Sequence, residues 1–364
     1  MYKTTAIAAL ISFALAPQLA FSATPQAKAI NGTNATDYDN LLLPWQAAIK
    51  QTTSDLTGCG AVVIAAHWVV TAAHCNDVSK LGNMVIAGVS YIPQGDFSKL
   101  DAKYKFTVIK RIHHSAYNST TFENDIALFQ VEESMLNVAQ PIKIATAEEE
   151  QKAADADFKS TWVQGSDSKA NLIASGWGDT VTKYTFPSYL QVVKLAGIPD
   201  DQCNNTIDNN AYFVCADSNI ADLVKDVCAG DSGGPLIWQN PLNIADTDKG
   251  IRLIGITSNG ADCKIKNDNQ NNPYYQLHGQ FTQVSHYRDW IEDTIHATEG
   301  DNSFSLNAVA APTITKDPFI VVADRPSAKT QPADSGSSGG SVPLFGLFGL
   351  AAIGLMRRKG IHQK

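Results

Sequence analysis

The densest chemical segment of the chain is Gly230-Asp231-Ser232-Gly233-Gly234-Pro235. A serine hydroxyl is a weak nucleophile until a base takes its proton, and acyl transfer also needs donors for the oxyanion that forms. Glycine at 230 permits an unusual backbone, so its N–H and that of Ser232 can point at one spot. A plain glycine-rich turn would need neither the Asp before the serine nor the Pro after it. The base must come from elsewhere in the chain, brought near in space and not in sequence. Of the eight histidines, His74 is the best placed, because it follows the apolar run 68–71 and precedes Cys75, which can lock its loop. His113 and His114 lie in a polar stretch and read as surface. Asp125 is the carboxylate to orient the imidazole. It stands directly ahead of the apolar Ile126-Ala127-Leu128, where it can be buried and aimed, whereas Glu148, Glu149 and Glu150 read as a solvated run.

The elements that must hold these residues are short strands. Residues 61–64, 68–71, 84–87, 106–109, 126–131, 190–195, 236–238 and 251–257 are β-rich runs broken by Gly, Asn, Asp and Pro, a spacing that predicts an all-β sandwich or barrel. Helical periodicity stands out once, where Val284, Tyr287, Ile291 and Ile295 share a face between residues 283 and 298. Ala, Pro, Ser and Asp dominate from 300 to 341, which reads as a flexible linker. No internal repeat is apparent. With 364 residues, 44% of them hydrophobic and 18% charged, the chain has material for a sizeable core.

The two ends read as addresses. Residues 1–22 carry Lys3, an apolar run from 6 to 15 and Ala20-Phe21-Ser22, the pattern of a secretory signal peptide. Residues 342–356 are 15 apolar, Gly or Pro positions followed by Arg357-Arg358-Lys359. A helix of that length spans only about 22 Å, short of a ~30 Å bilayer core, which suits a transient membrane segment with its basic end in the cytoplasm. Residues 1–28 and 342–364 hold six cations and no acid, and these taken from 28 leave 22 against 36 acids, a net −14 for the middle. That balance argues against a nucleic-acid partner, whose phosphates need a basic face. All six cysteines lie between 59 and 263, and an even number in an exported chain points to three disulfides, with 15 pairings open. No C-x₂-C pair exists, so no metal site is expected, and no cofactor.

The motifs Thr71-Ala72-Ala73-His74-Cys75, Asp125-Ile126-Ala127-Leu128, Ser175-Gly176-Trp177-Gly178 and 230–235, in the order His, Asp, Ser, resemble those of the chymotrypsin/trypsin-like serine peptidases. The resemblance covers residues 29–299. It implies two six-stranded antiparallel β-barrels with the site between them and a closing C-terminal helix. By the same resemblance His74 is general base and then acid, Asp125 fixes its tautomer, Ser232 attacks the scissile carbonyl, and the N–H groups of Gly230 and Ser232 form the oxyanion hole. The implied disulfides are Cys59–Cys75, Cys203–Cys215 and Cys228–Cys263.

Asp226, six residues before the nucleophile, matches the acid at the floor of a trypsin-like specificity pocket. Ser258 and Gly260 match the wall that pairs with substrate backbone, and Gly279 the small residue that keeps the pocket open. A buried carboxylate favours a substrate Arg or Lys that neutralises it. Two departures stand out. Val227 replaces a common Ser, which favours Arg over Lys, and Asn259 replaces the usual Trp. The Asn-rich stretch 264–278 is longer than usual and could serve as an exosite or a Ca²⁺ loop. Lys28-Ala29-Ile30-Asn31-Gly32 resembles a zymogen activation site, making 23–28 a propeptide. A cut after Lys28 frees the Ala29 ammonium to pair with Asp231; a cut before Ile30 is the alternative. The small Ala29 side chain loses about 1–2 kcal/mol of burial relative to the family's Ile or Val.

Residues 342–364, with Ser338-Gly339-Gly340-Ser341 before them, resemble the GlyGly-CTERM sorting signal of Gram-negative bacteria, which an intramembrane rhomboid-type protease removes. The expectation is an exported, monomeric, trypsin-like endopeptidase, secreted or held at the cell surface, whose partners are Arg/Lys-containing substrates, an activating protease and the sorting protease. The alternative is an inert protein of the same fold that binds a partner through the same cleft.

Overall fold

The computed structural model describes residues 31–77, 79–179, 186–203, 212–260 and 278–325. The expected signal peptide, the propeptide with Lys28 and Ala29, Cys263, residues 264–277 of the Asn-rich stretch and the sorting segment 342–364 all lie outside them.

Six strands form the first barrel: β2 (Gln46–Gln51), β3 (Thr57–Ala65), β4 (Trp68–Thr71), β5 (Leu81–Ala87), β6 (Lys105–His113) and β7 (Ala127–Val131). They close antiparallel in the order β2-β3-β4-β7-β6-β5, leaving no open edge. The strand-pairing partners Val62 and Val70, together with Ile86 and Phe129, are buried inside. The second barrel is built from β8 (Leu172–Gly176), β9 (Gln191–Ile198), β10 (Phe213–Ser218), β11 (Pro235–Gln239), β12 (Ile251–Asn259) and β13 (Gly279–Gln283). Their order is β9-β10-β13-β12-β11-β8, and the β8–β9 pairing closes the ring. A two-residue strand β1 (Thr33–Asn34) adds to β9. Leu172, Leu195, Val214, Leu236 and Phe281 fill this barrel.

The single helical face read from the sequence is present as a 3₁₀ turn, Val284–Tyr287, followed by the α-helix Arg288–Glu299. Ile291 and Ile295 are buried, and Gly300 at φ +70° ends the helix with its N–H on the His296 carbonyl. Glu299 accepts from Trp68 Nε1 at 2.7 Å, fastening the helix end to β4.

Three expectations need correction. Helical structure is not confined to that one segment: a π-helical turn Glu149–Ala154 runs into the helix Asp155–Thr161, whose one inward anchor is Phe158. One aromatic over two turns leaves no periodic stripe to read. The acids at 148–150 are not all solvated. Glu150 is 2% exposed and accepts from Gln283 Nε2 at 2.7 Å, and Glu149 pairs with Arg252 at 2.9 Å. Finally, the segment expected to begin a flexible linker at 300 is built onto the body as far as 325. Leu306, Ile314 and Val322, eight residues apart, are buried in the main apolar cluster. Backbone and side-chain bonds fix the path between them: Leu306 N–H to Glu292 (2.7 Å), Thr313 N–H to Gln140 (2.8 Å), Ile314 N–H to the Thr247 carbonyl (2.9 Å), and Gln239 Nε2 to Asp317 (2.8 Å). Among the described residues no helix is long and apolar enough to cross a membrane.

Candidate active site

Strand pairing brings His74 and Asp125 together. Thr71 of β4 faces Ala127 of β7 in the antiparallel register, so the residues just after β4 and just before β7 emerge at the same end of the first barrel. The Asp125 side chain is wholly buried and meets three donors: His74 N–H on Oδ1 (2.9 Å), His74 Nδ1 on Oδ2 (2.8 Å) and Ser258 Oγ on Oδ2 (2.6 Å). A carboxylate is acceptor-only, so it specifies the tautomer with the proton on Nδ1 and leaves Nε2 as the free acceptor. Thr282 Oγ1 on the Asp125 carbonyl (2.8 Å) ties this first-barrel residue to β13. Phe122 stacks edge-on at 5.9 Å from the imidazole, which remains partly exposed.

The second barrel supplies Ser232, in the turn that leads into β11. Its carbonyl accepts from Gly60 N–H at 2.7 Å and packs 3.6 Å from Cys75 Sγ, next in sequence to His74. The backbone of Ser232 therefore lies against the segment that carries His74. The turn consumes the N–H groups of Asp231, Gly233 and Gly234 on the carbonyls of Cys228, Thr257 and Asp231. Among the described residues the N–H groups of Gly230 and Ser232 have no protein acceptor. Gly230 has φ +97°, a backbone that side chains disfavour, and a Cβ there would also press 2.9 Å from Phe186.

Residues 29–291 match the family Trypsin. The chain belongs to the trypsin family. It is 32% identical over 277 residues to a trypsin of Phaedon cochleariae, covering 74% of this chain and 89% of that one. Over 261 residues it is 30% identical to the Transmembrane protease serine 11G of Mus musculus, covering 70% of this chain and 53% of the other. An ovochymase of Halocynthia roretzi is 29% identical over 300 residues, 77% of this chain and 16% of its own. The chain thus spans about half the length of the mouse relative.

In this trypsin-family chain the motif Ser175-Gly176-Trp177-Gly178 cradles Asp231. The Asp231 carboxylate is completely buried and accepts from Gly178 N–H (2.7 Å) and Cys228 N–H (2.8 Å). A Cβ on Gly176 would come 2.2 Å from its Oδ1, so only glycine leaves room. Burial pushes the Asp231 carboxyl up to about 7, with the two N–H bonds opposing and the neighbouring Asp226 and Asp179 adding to the rise.

Asp226 is buried, its Oδ1 accepting from Val227 N–H at 2.8 Å. A Cβ on Gly279 would stand 3.0 Å from that oxygen, which puts the carboxylate directly beside the glycine of β13. Gly260 faces Gly279 across the gap, its own Cβ position 3.3 Å from the Gly279 Cα. Ser258 is where the sequence reading was incomplete. Its hydroxyl donates to Asp125 Oδ2 at 2.6 Å, a contact separate from the backbone pairing expected of it. Nothing in the spacing of a lone Ser at the end of β12 signals a partner 133 residues away.

Cys59–Cys75 and Cys203–Cys215 are bonded as the resemblance implies. Cys228 is also disulfide-bonded, and its expected partner Cys263 lies outside the described residues. Cys59, His74 and Cys75 cluster closely enough to suggest metal ligands, but the two sulfurs are bonded to each other and offer no thiolate.

Proposed function

We propose that this protein is a trypsin-like serine endopeptidase that cleaves polypeptides after Arg or Lys through an acyl-enzyme. The observation that carries the reading is the Asp125–His74 pair, with Ser258 on the same carboxylate and the Ser232 carbonyl 3.6 Å from the sulfur of neighbouring Cys75. In the proposed reaction Ser232 Oγ adds to the scissile carbonyl carbon and its proton passes to His74 Nε2. Asp125 holds the imidazolium, and the N–H groups of Gly230 and Ser232 receive the oxyanion. Collapse breaks the C–N bond as His74 returns the proton to the leaving amine. Water then repeats the addition and expels the serine, releasing a carboxylic acid.

Asp226 selects the substrate, because a carboxylate in a desolvated pocket is stabilised by an entering cation. With Val227 in place of a hydroxyl, kcat/KM is higher for an Arg peptide than for its Lys twin; equal values would refute that preference. Labelling by a fluorophosphonate, lost in Ser232→Ala, tests the nucleophile. A wild-type chain that is not labelled is the inert binding protein instead.

Activation proceeds by cleavage after Lys28, by another protease, with the Ala29 ammonium entering against Asp231. N-terminal sequencing of active enzyme distinguishes this cut from one before Ile30. Residues 1–22 direct export, and 342–364 form a removable sorting segment that holds the chain transiently in the inner membrane before release or surface display. The intact mass of the released protein reads both ends at once.

A further inference from the structure

Between β10 and Asp226 runs the loop 219–225, and the C-terminal extension ends on it. Lys225, immediately before Asp226, is 1% exposed. A buried ammonium must have acceptors, and Lys225 Nζ donates to Asn219 Oδ1 and, at 2.9 Å, to the carbonyl of Asp324. The Asp324 carboxylate accepts from Asn219 Nδ2 at 3.3 Å and lies 3.8 Å from Lys194 Nζ of β9. Arg325 pairs with Asp222 of the same loop at 2.5 Å. Burial lowers Lys225 to about 8, and the Asp324 charge opposes that fall.

The loop is gripped from its other side by the start of the domain. Asn31 Nδ2 donates to the Val224 carbonyl at 2.6 Å. The two grips are joined, because Tyr38 Oη donates to Thr33 Oγ1 (3.1 Å) and accepts from Ala323 N–H (3.3 Å). Val322, 2% exposed, and the Asp317–Gln239 bond fix the extension to the body just upstream. Asp226 is therefore one peptide unit away from a residue whose ammonium is held by the extension, and its Oδ1 has the narrow berth beside Gly279 described above.

We propose that residues 322–325 clamp the loop 219–225 and thereby position the Asp226 carboxylate, with Asp324 the positioning residue. The proposal rests on the reading of Asp226 as the floor of a cation-selective pocket. An extension that were only a cover would stabilise the fold without touching substrate binding. The clamp also fixes where the chain can be released without loss of function, which is beyond Arg325.

The test uses the full chain after activation, with Asp324→Ala and Val322→Asp as variants and Asp324→Asn as the conservative one. Asp324 is exposed and its replacement leaves the core intact; Val322→Asp ejects the segment more forcibly. Three quantities are read: KM and kcat on an Arg peptide, the Kd of a small aromatic amidinium, and the rate of fluorophosphonate labelling. A positioning role raises KM and the amidinium Kd at least tenfold in Val322→Asp and about threefold in Asp324→Ala, which keeps the carbonyl that holds Lys225, with kcat and labelling within about threefold of wild type. Asp324→Asn, which keeps an acceptor for Asn219, recovers most of the affinity. Unchanged KM and Kd in Asp324→Ala and Val322→Asp together overturn the clamp, as does a parallel fall in labelling. Should wild type neither cleave nor label, the peptidase reading fails instead. Amidinium binding, which needs no chemistry, then still reads the clamp.

Discussion

Asp231 gives the proposed activation step a thermodynamic signature. In the uncut chain its carboxyl is fully buried, is held by two backbone N–H groups and, among the described residues, meets no cation. Its rise from 3.8 to about 7 is roughly three pK units, worth on the order of 4 kcal/mol at ~1.4 kcal/mol per unit. The folded state therefore binds this proton more tightly than the unfolded chain. Stability associated with Asp231 is fully present below pH ~4, falls as pH rises from ~4 to ~7, and stays low above that. Cleavage after Lys28 supplies an ammonium that neutralises the carboxylate and removes the loss. The comparison is between Lys28→Gln, which stays uncut, and the processed form, both carrying Ser232→Ala so that neither digests itself. Urea unfolding is followed from pH 4 to 9. Glu150, raised to about 8, and Asp155, raised to about 6, shift stability in the same direction but are present in both forms, so the difference isolates Asp231. The uncut form is expected to lose about 4 kcal/mol relative to the processed form between pH 4 and 7. In the processed form the Asp231 contribution weakens only where the terminal amine deprotonates. A difference independent of pH, or one of opposite sign, refutes the reasoning.

Three further outcomes follow from single contacts. Gly279→Val places its side chain against Asp226 Oδ1, where even a Cβ stands at 3.0 Å, and should lower kcat/KM on Arg and Lys peptides at least 100-fold while leaving fluorophosphonate labelling intact. Ser258→Ala removes the 2.6 Å bond to Asp125; a hydrogen bond to a charged group is worth about 1.5–3 kcal/mol, so kcat should fall roughly 10- to 100-fold with KM little changed. Replacing both Cys59 and Cys75 by Ser opens a loop of sequence separation 16 and should cost about 3 kcal/mol in urea unfolding, with activity lost first because His74 lies inside that loop.

What could be read from the sequence divides along a physical line. The residues at 71–75, 125–128 and 230–235 were legible because each carries its context locally: an apolar strand, then a polar residue that the strand end exposes, or a glycine turn that only one backbone can make. The β4–β7 register turns that local information into a site without further specification. Strands such as β13 and β10 were less visible because their inward residues are few and are interleaved with polar ones that find buried partners across the barrel, as Gln283 does in Glu150. Ser258 belongs to this class too. Its type says only that it can donate, and the acceptor is chosen by the meeting of two barrels.

The extension 300–325 is the extreme case, and it shows why composition misleads there. A linker and a strap have the same Ala, Pro and Ser content, since both lack a face of their own. A strap needs only occasional anchors, and Leu306, Ile314 and Val322, eight residues apart, are too sparse to mark either a helical or a strand face. Each is buried in the main apolar cluster, so the anchors join a core that the strap does not build by itself. Between anchors, hydrogen bonds to Gln140, Thr247 and Gln239 fix the path, and these partners are scattered over the segment between the barrels, the β11–β12 loop and β11. The strap then delivers Asp324 to the loop ahead of Asp226, the residue proposed to select the substrate. If the clamp operates as proposed, substrate preference responds to the strap at 322–325 as well as to the residues around Asp226.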